Sequence, residues 1–187
     1  MSKAVSRPEP GAGHPFLSFL NTVDDDGKTR RINSFQNPAM LVQMLEQAGF
    51  SQPPQPPCAM ELRKILTLRE TAYATLSAIT EGRAPKREDA LFLTGALKSI
   101  YQQAELDISA DGLTIAPSPF GQVHEQLVLS MDGLLRSEQF GRLRECRRCT
   151  HLFIDRGRGV GRRWCSMARC GNRAKAESFR ARQRDAA

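Results

Sequence analysis

The segment that decides the fold is residues 145–182, ECRRCTHLFIDRGRGVGRRWCSMARCGNRAKAESFRAR. It carries a C-x2-C pair, a glycine-rich stretch, and a C-x4-C pair that leads into a helix-forming run. Four thiolates at about 2.3 Å satisfy a tetrahedral Zn²⁺, and the metal supplies folding free energy that so small a module lacks. The spacing therefore predicts a structural zinc site whose ligands are Cys146, Cys149, Cys165 and Cys170.

Zinc with four sulfur ligands has no open coordination position, so we do not expect catalysis at this metal. His151 follows Cys149 by two residues and is the substitute ligand; with four cysteines present, we expect it to be a surface residue or to lie beside the site instead. Between the pairs we expect a short β-like stretch, a hairpin tip at residues 157–161, and a second strand that contains Trp164. This order, followed by a helix, is typical of a zinc-ribbon or treble-clef-like module.

Cysteine usage also bears on the compartment. The chain has 187 residues and five cysteines, four of them in its last quarter. The opening residues, MSKAVSRPEPGAGHP, contain no apolar run before a small-residue cleavage site, so we expect no secretory signal and a cytoplasmic location. No apolar run approaches the roughly 18 residues of a membrane span. In a chain without an export signal, clustered cysteines hold metal more often than they form disulfides.

Net charge divides the chain into two predicted domains, 1–141 and 142–187. The whole sequence carries +7. From Arg142 to the end there are 14 Lys and Arg against 4 Asp and Glu, a net +10, whereas residues 1–141 hold 13 against 16, a net −3. A basic module favours a polyanionic partner, with nucleic acid first and an anionic membrane surface second; a solvated charged tail is the simplest alternative.

Residues 1–141 predict a mainly helical domain. In NPAMLVQMLEQAGF, Asn37 suits the N-cap, Pro38 the first helical position, and Gly49 the position after the helix. Helical spacing of apolar residues recurs over about 59–81, 85–104 and 123–134. We therefore expect four or so helices packed round a shared apolar core, with the charged residues on exterior faces.

The same region carries one hairpin signal. Apolar residues alternate on either side of Asp111-Gly112, which predicts two strands joined by a two-residue turn. The predicted fold is mainly α: a helical N-terminal domain with one β-hairpin, followed by the small zinc module.

Side chains that support catalysis do not converge in the sequence. A Ser, His and Asp set, a phosphate-cradling glycine loop and a paired-carboxylate motif are all absent, so we assign no catalytic residue and expect no enzyme. The run Asp24 to Asp26 suits a solvated turn, or else a site for a metal or a cationic ligand. Cys58, which follows the proline-rich connector 51–57, is expected to be a small buried hydrophobe.

The last residues predict a basic helix. At about 100° per residue, Arg173, Arg180 and Arg184 fall on one stripe. Their guanidinium groups suit phosphate oxygens because they present forked donors and stay charged. The positive surface is extended across the preceding turn by Arg156, Arg158, Arg162 and Arg163.

The aromatic residues of the module have two possible roles. Trp164 and Phe153 either stack on bases, as in single-strand binders, or form a miniature core round the metal. The second role is the simpler expectation for so small a module.

The stretch RRWCSMARCGNRAKA, residues 162–176, resembles the signature of the CGNR zinc-finger family. It shares the tryptophan, the third cysteine, the Ser-Met pair, the CGNR tetrad and the following Ala-Lys. FLSFLNTV, residues 16–23, resembles the Leu-Asp-hydrophobic-hydrophobic-Asn-Thr pattern of the ABATE domain found with that finger. Two departures are Ser18, where the acid is usual, and the first cysteine pair, whose two intervening residues are fewer than is common.

The resemblance implies a bacterial, stress-induced transcription regulator. Its N-terminal domain would bind a ligand, and its C-terminal finger would bind zinc and nucleic acid. The resemblance assigns the same four cysteines to the metal, and Asn172, Arg173 and Lys175 match the polar positions of its motif.

The leading hypothesis is thus a regulator that senses a small-molecule ligand and binds nucleic acid, DNA before RNA, through its finger. A homodimer would suit paired half-sites. The alternative is a zinc-stabilised protein-interaction module with no nucleic-acid role. The predicted nucleic-acid contacts are Arg156, Arg158, Arg162, Arg163, Asn172, Arg173, Lys175, Arg180 and Arg184.

Overall fold

The computed structural model describes residues 11–24, 28–53, 55–110, 112–116, 123–157 and 161–185. Within these ranges the α-helices are Pro15–Leu20 (α1), Pro38–Gln47 (α2), Ala59–Thr80 (α3), Arg87–Gln103 (α4), Val123–Arg136 (α5) and Asn172–Asp185 (α6). The strands are Glu105–Ser109 (β1), Gly112–Ala116 (β2), Leu143–Glu145 (β3) and Leu152–Ile154 (β4). A 3₁₀ turn, Phe140–Arg142, precedes β3, and a π-helical turn, Met167–Gly171, precedes α6. The predicted mainly helical fold is confirmed.

Helix α2 begins and ends where its sequence predicts. The Asn37 side chain accepts a hydrogen bond from the backbone N–H of Met40 at 3.0 Å, and Pro38 is the first helical residue. The N–H of Gly49, whose φ is +98°, donates to the carbonyl of Glu46 just past the helix end. Local capping chemistry thus sets both ends of this helix.

Helix α1 lies at the centre of the apolar core. This six-residue helix is surrounded by α2, α3, α5 and β4. Its apolar side chains, Phe16, Leu17, Phe19 and Leu20, are all fully buried. A helix that is apolar on nearly every side is stable only when other elements enclose it. Leu143, Leu152 and Ile154 of the zinc module belong to the same core, while the division of the chain at residue 141 stays a prediction.

The hairpin of β1 and β2 is confirmed, but its turn does not consist of the two residues predicted. Ser109 pairs directly with Gly112, so Gly112 belongs to the second strand and not to the turn. Asp111 lies outside the described residues. The apolar side chains of Leu106, Ile108 and Leu113 are exposed. The alternation that predicted the strands therefore does not mark a face buried by the helices.

Two arginines are buried, which contradicts the expectation that all charged residues lie outside. Arg30 and Arg69 each donate to the Glu70 carboxylate at 2.7 Å, and Arg69 also donates to the carbonyl of Thr22 at 3.0 Å. The Arg30 guanidinium lies 3.8 Å from the centre of the Tyr73 ring. Burial alone would raise the pKa of Glu70, but the two arginines hold that pKa below its ordinary value.

Cys58 is exposed, contrary to the expectation that it is buried. It occupies the N-cap position of α3, directly after Pro57, whereas the first buried residue of α3 is Ile65. The chain therefore reaches the core a full turn or more after this cysteine. In the aspartate run, Asp24 accepts a hydrogen bond from the Ser34 hydroxyl at 3.1 Å. Asp25 and Asp26 lie outside the described residues.

Asn21 joins the helical domain to the zinc module. Its side-chain amide donates to the carbonyl of Leu152 and accepts from the N–H of Leu152, both at 2.9 Å. The N–H of Ile154 donates to the carbonyl of Ala12 at 2.8 Å, so the residues before α1 run beside β4. A Cβ on Gly13 would lie 2.8 Å from the Cβ of Ile154, which explains the glycine at this crossing.

Glu145, the last residue of β3, makes a second joint with the helical domain. Its carboxylate accepts hydrogen bonds from the hydroxyls of Tyr73 and Ser77 and lies 3.6 Å from the Lys28 ammonium. Burial and the charge of Glu145 raise the pKa of Tyr73 to about 12. The residue next to Cys146 is therefore held by α3.

We expect Asn21→Ala to lower the free energy of unfolding by about 1–3 kcal/mol, because it leaves the N–H and carbonyl of Leu152 without their partners. Urea unfolding followed by circular dichroism measures the loss. Gln102→Ala, which removes an exposed amide on α4, is the control and is expected to change stability by less than about 0.5 kcal/mol. Equal effects of the two variants would contradict the role of Asn21.

Candidate metal centre

The four predicted cysteines form one buried cluster. The sulfur atoms of Cys146, Cys149, Cys165 and Cys170 all lie within 4.8 Å of one another. Three of the distances, Cys149 to Cys165, Cys165 to Cys170 and Cys170 to Cys149, are 3.6 Å. A tetrahedron of 2.3 Å zinc–sulfur bonds has edges of about 3.8 Å. The arrangement therefore has the size that a zinc ion requires.

The closeness of the sulfur atoms sets their electrostatics. Hydrogen bonds from its neighbours lower the pKa of Cys146, while hydrogen bonding to Cys146 raises the pKa of Cys149 and of Cys165. Burial raises the pKa of Cys170. Four thiolates so close together repel one another, and a central cation is what allows all four to be ionised. The donor set fits a structural Zn²⁺.

Backbone hydrogen bonds hold each cysteine pair in place. In the first pair, the N–H of His151 donates to the sulfur of Cys149 at 3.5 Å, and the N–H of Cys146 donates to the carbonyl of His151 at 2.9 Å. In the second pair, the carbonyl of Ser166 accepts from the N–H of Cys170 at 3.0 Å. The sulfur atoms are thus positioned by the local backbone.

His151 lies beside the metal centre and faces the helical domain. Its Nε2 is 3.4 Å from the carbonyl oxygen of Val23, and the residue is half-buried. Burial lowers the pKa of His151, which favours the neutral ring as donor to that carbonyl. The expectation that four cysteines leave this histidine outside the ligand set agrees with these contacts.

The expected second strand around Trp164 does not form. The backbone there bonds outside a ladder: the Arg162 N–H donates to the Asp155 carboxylate at 2.9 Å, and the Arg163 carbonyl accepts from the Arg147 N–H at 3.1 Å. Hydrogen bonds from the backbone N–H groups of Gly157 and Arg162 to its carboxylate lower the pKa of Asp155. The module's two strands are instead β3 and β4, which flank the first cysteine pair.

Phe153 and Trp164 take different positions. Phe153 is buried against the cysteine cluster, which is the miniature-core role. Trp164 packs on the same cluster but remains partly exposed. A Cβ on Gly171 would lie 2.5 Å from the Met167 sulfur and 3.1 Å from Cδ1 of Trp164. The glycine of the CGNR tetrad therefore leaves room for these two side chains.

Three of the predicted contact arginines before α6, Arg156, Arg162 and Arg163, are exposed, and the first two donate hydrogen bonds to backbone carbonyls. Arg156 donates to the carbonyl of Gly13 at 3.1 Å. Arg162 donates to the carbonyls of Trp164, Cys165 and Gly11, and its guanidinium lies over the Phe153 ring. The Arg163 guanidinium is 5.5 Å from the centre of the Trp164 ring. Arg158 lies outside the described residues.

Helix α6 carries the other predicted contacts. From Asn172 to Arg184 every residue is exposed except Ala174 and Ala181, which are half-buried. The helix packs mainly on the π-helical turn before it, and an ion pair of 2.9 Å joins Arg148 to Glu177. The structure thus brings the predicted basic residues Arg173, Lys175, Arg180 and Arg184 together on one exposed helix. Their contact with nucleic acid stays a prediction.

Sequence reasoning missed three residues that position the metal centre. Asn21 and Glu145 hold the module against the helical domain, and Arg148 ties the first cysteine pair to α6. The LNT portion of FLSFLNTV was a signal for Asn21, but the pattern does not say what the amide contacts. For Glu145 and Arg148 the only signal is their position next to ligands.

The fold and the site together define a class: a helical domain bearing a small zinc finger with a closed, four-sulfur structural metal centre. Comparison with protein families agrees with this. The family described as "Putative stress-induced transcription regulator", ABATE, matches residues 13–135, and the CGNR zinc finger matches residues 142–183. The chain belongs to the ABATE family and carries a CGNR zinc finger. A comparison with curated proteins gives no match.

Among the residues that the structure describes, no helix combines the length and the apolar character needed to cross a membrane.

We expect one zinc ion per chain in the wild-type protein and less than half of that in Cys165→Ser, because three sulfur atoms and a serine hydroxyl hold zinc far more weakly. Melting of the helical domain should shift to lower temperature as well, since β3 and β4 share its core. Metal analysis and circular dichroism measure the two effects.

The matched control is Cys58→Ser, which changes the exposed cysteine; it should keep the zinc and should not lower the melting temperature, since serine suits the N-cap position of α3. Full zinc content in Cys165→Ser would contradict the ligand assignment.

Proposed function

We propose that this protein is a zinc-dependent transcription regulator that binds nucleic acid, DNA before RNA, through α6. The observation that carries the proposal is the exposure of this helix. It has five basic residues against two acidic ones, and among its described side chains, Asn172 to Arg184, all but Ala174 and Ala181 are exposed.

The size of α6 suits the major groove of DNA. Fourteen residues at 1.5 Å each make a helix about 21 Å long. The major groove admits one α-helix, and arginine and lysine bind its flanking phosphates. Cys170 lies in the π-helical turn directly before α6, so a zinc ion bound to it would hold the start of the helix in place.

The charge distribution supports the same partner. The finger segment has a net charge of +10, whereas residues 1–141 have −3. The acidic part would be repelled by a polyanion, so the finger is the part that turns toward it. A binding role of this kind includes no catalytic step.

Ligand response belongs to the proposal, and we place the ligand in a cleft between α3, α4 and α5. The cleft has a volume of about 590 Å³, within the range of small-molecule sites. Its apolar lining includes Phe92, Ala96 and Ile100, and its ionisable lining residues are Lys64, His124 and Glu125. Helix α3 carries Lys64 and also the two hydroxyls that bind Glu145, so this one helix links the cleft to the metal centre.

The alternative function, a protein-interaction module, draws on the same exposed helix. An acidic protein surface would also pair with its arginines. The alternative predicts no binding to DNA or RNA at low salt, which separates it from the proposal.

We expect the triple variant Arg173→Glu, Arg180→Glu, Arg184→Glu to lose DNA binding by at least tenfold, because attraction to phosphates becomes repulsion. Fluorescence anisotropy with random duplex DNA measures affinity at several salt concentrations. For the wild-type protein, log K should fall linearly with log salt, and charge-neutral substitution of the three arginines by Gln should reduce that slope by about 3.

The control is a second triple variant with the same charge change on exposed residues of α3 and α4: Arg63→Glu, Arg87→Glu and Lys98→Glu. It should bind within about threefold of wild type. Equal losses in both triple variants would mean that net charge, not α6, determines binding. No wild-type binding at low salt would support the protein-interaction alternative.

For the ligand cleft, we expect the indole of Ala96→Trp to occupy the space of the cleft. The variant should therefore lose thermal stabilisation by small molecules that stabilise the wild-type protein. A thermal-shift screen of a metabolite library measures this, with Gly141→Ala, away from the cleft, as the control. A compound that stabilises wild type and Ala96→Trp equally would exclude the cleft as its site.

A further inference from the structure

A cleft lies beside the zinc centre, on the side of the module where the second cysteine pair begins. Its volume is about 560 Å³, and residues 161–167 and Gly11 line it. Trp164 and Met167 supply its apolar surface, whereas Arg163 and Ser166 supply polar groups. The cleft thus combines an aromatic ring, a thioether and a cation in one place.

The two aromatic residues of the module differ in availability. Phe153 is 1% exposed and serves the miniature core, so it cannot contact a partner. Trp164 packs on the cysteine cluster and yet lines the cleft. Met167, half exposed, lies against Gly171 beside the indole. An indole and a thioether at the edge of a basic module form a surface that an aromatic ring can stack upon.

Hydrogen bonds within the protein fix the residues that line the cleft before any ligand binds. Arg162 donates to the carbonyls of Trp164, Cys165 and Gly11, which ties residues 161–167 to the segment before α1. Cys165 is itself a zinc ligand. The free-energy cost of ordering protein residues when a ligand binds in the cleft is therefore small. The exposed Arg163 lies with its guanidinium over the indole ring, 5.5 Å from the ring centre, so a base that stacks on this face displaces the guanidinium while its positive charge stays at the cleft.

We infer that this cleft binds one unpaired nucleobase, which stacks on Trp164 while basic residues of the finger hold the adjoining phosphates. Every base has a π-face, and stacking on an aromatic side chain is the usual way in which single strands are bound without sequence choice. The cleft therefore selects nucleic acid with an unpaired or opened base over a fully paired duplex. This inference rests on the proposed function, because it requires the finger to bind nucleic acid.

Trp164 is the only tryptophan of the chain, so its fluorescence reports on the cleft directly. The full-length, zinc-loaded protein is titrated with a twelve-nucleotide oligo(dT), with an abasic strand of the same length and charge, and with a paired duplex. Anisotropy of labelled strands measures binding, and tryptophan emission measures stacking.

We expect oligo(dT) to bind about tenfold more tightly than the abasic strand and to quench the emission, whereas the abasic strand and the duplex bind without quenching. Quenching of equal depth by all three would overturn the inference, because the indole would then report phosphate binding alone. Binding of all three strands without any quenching would overturn it as well and leave the proposed function intact. No binding of any strand at low salt would instead contradict the proposed function.

Two variants test the cleft independently of the wild-type emission. Trp164→Leu should lower the affinity for oligo(dT) to that for the abasic strand, provided that metal analysis shows it still holds zinc. Met167→Ala changes an exposed side chain and should weaken oligo(dT) binding severalfold with no effect on the abasic strand. Met60→Ala, an exposed methionine on α3, is its control and should change neither. Equal affinities of Met167→Ala and wild type for both strands would count against the cleft.

Discussion

The repulsion among four buried thiolates is the constraint on which the C-terminal part of the structure depends. Their sulfur atoms lie close enough that only a central cation allows all of them to be charged. A bound zinc ion would fix the positions of both cysteine pairs. The hairpin of β3 and β4, the turn at Met167 and the first turn of α6 are all positioned from these pairs.

The metal centre is coupled to the helical domain through short polar contacts. Asn21 binds both backbone groups of Leu152, and Glu145 is held by two hydroxyls of α3. Apolar side chains of β3 and β4 complete the core around α1. Hydrogen bonds and core packing act together here. A displacement of α3 would therefore reach the zinc ligands through the few contacts that join α3 to Glu145. The ligand response that we propose would require such a coupling.

Local chemistry explains which features could be predicted from the sequence. The zinc ligands follow from their spacing, and the bounds of α2 follow from Asn37 and Gly49, because in each case the interacting groups are a few residues apart. Arg69 was not foreseen as a buried residue, since arginine is rarely buried unless paired, and its partners Glu70 and Thr22 are recognisable only in the folded chain. Likewise, the strand expected at Trp164 is absent because the backbone N–H of Arg162 donates to the Asp155 carboxylate and not to a neighbouring strand.

The joint at Asn21 also has a consequence for the order of folding. Its two partners are separated by 131 residues in the sequence. During synthesis from the N-terminus, α1 emerges well before the β4 residues that help to enclose it. Contacts of such long sequence separation form slowly because loop closure must precede them. The apolar surface of α1 therefore remains incompletely covered during this interval, when the nascent chain is most open to binding by chaperones.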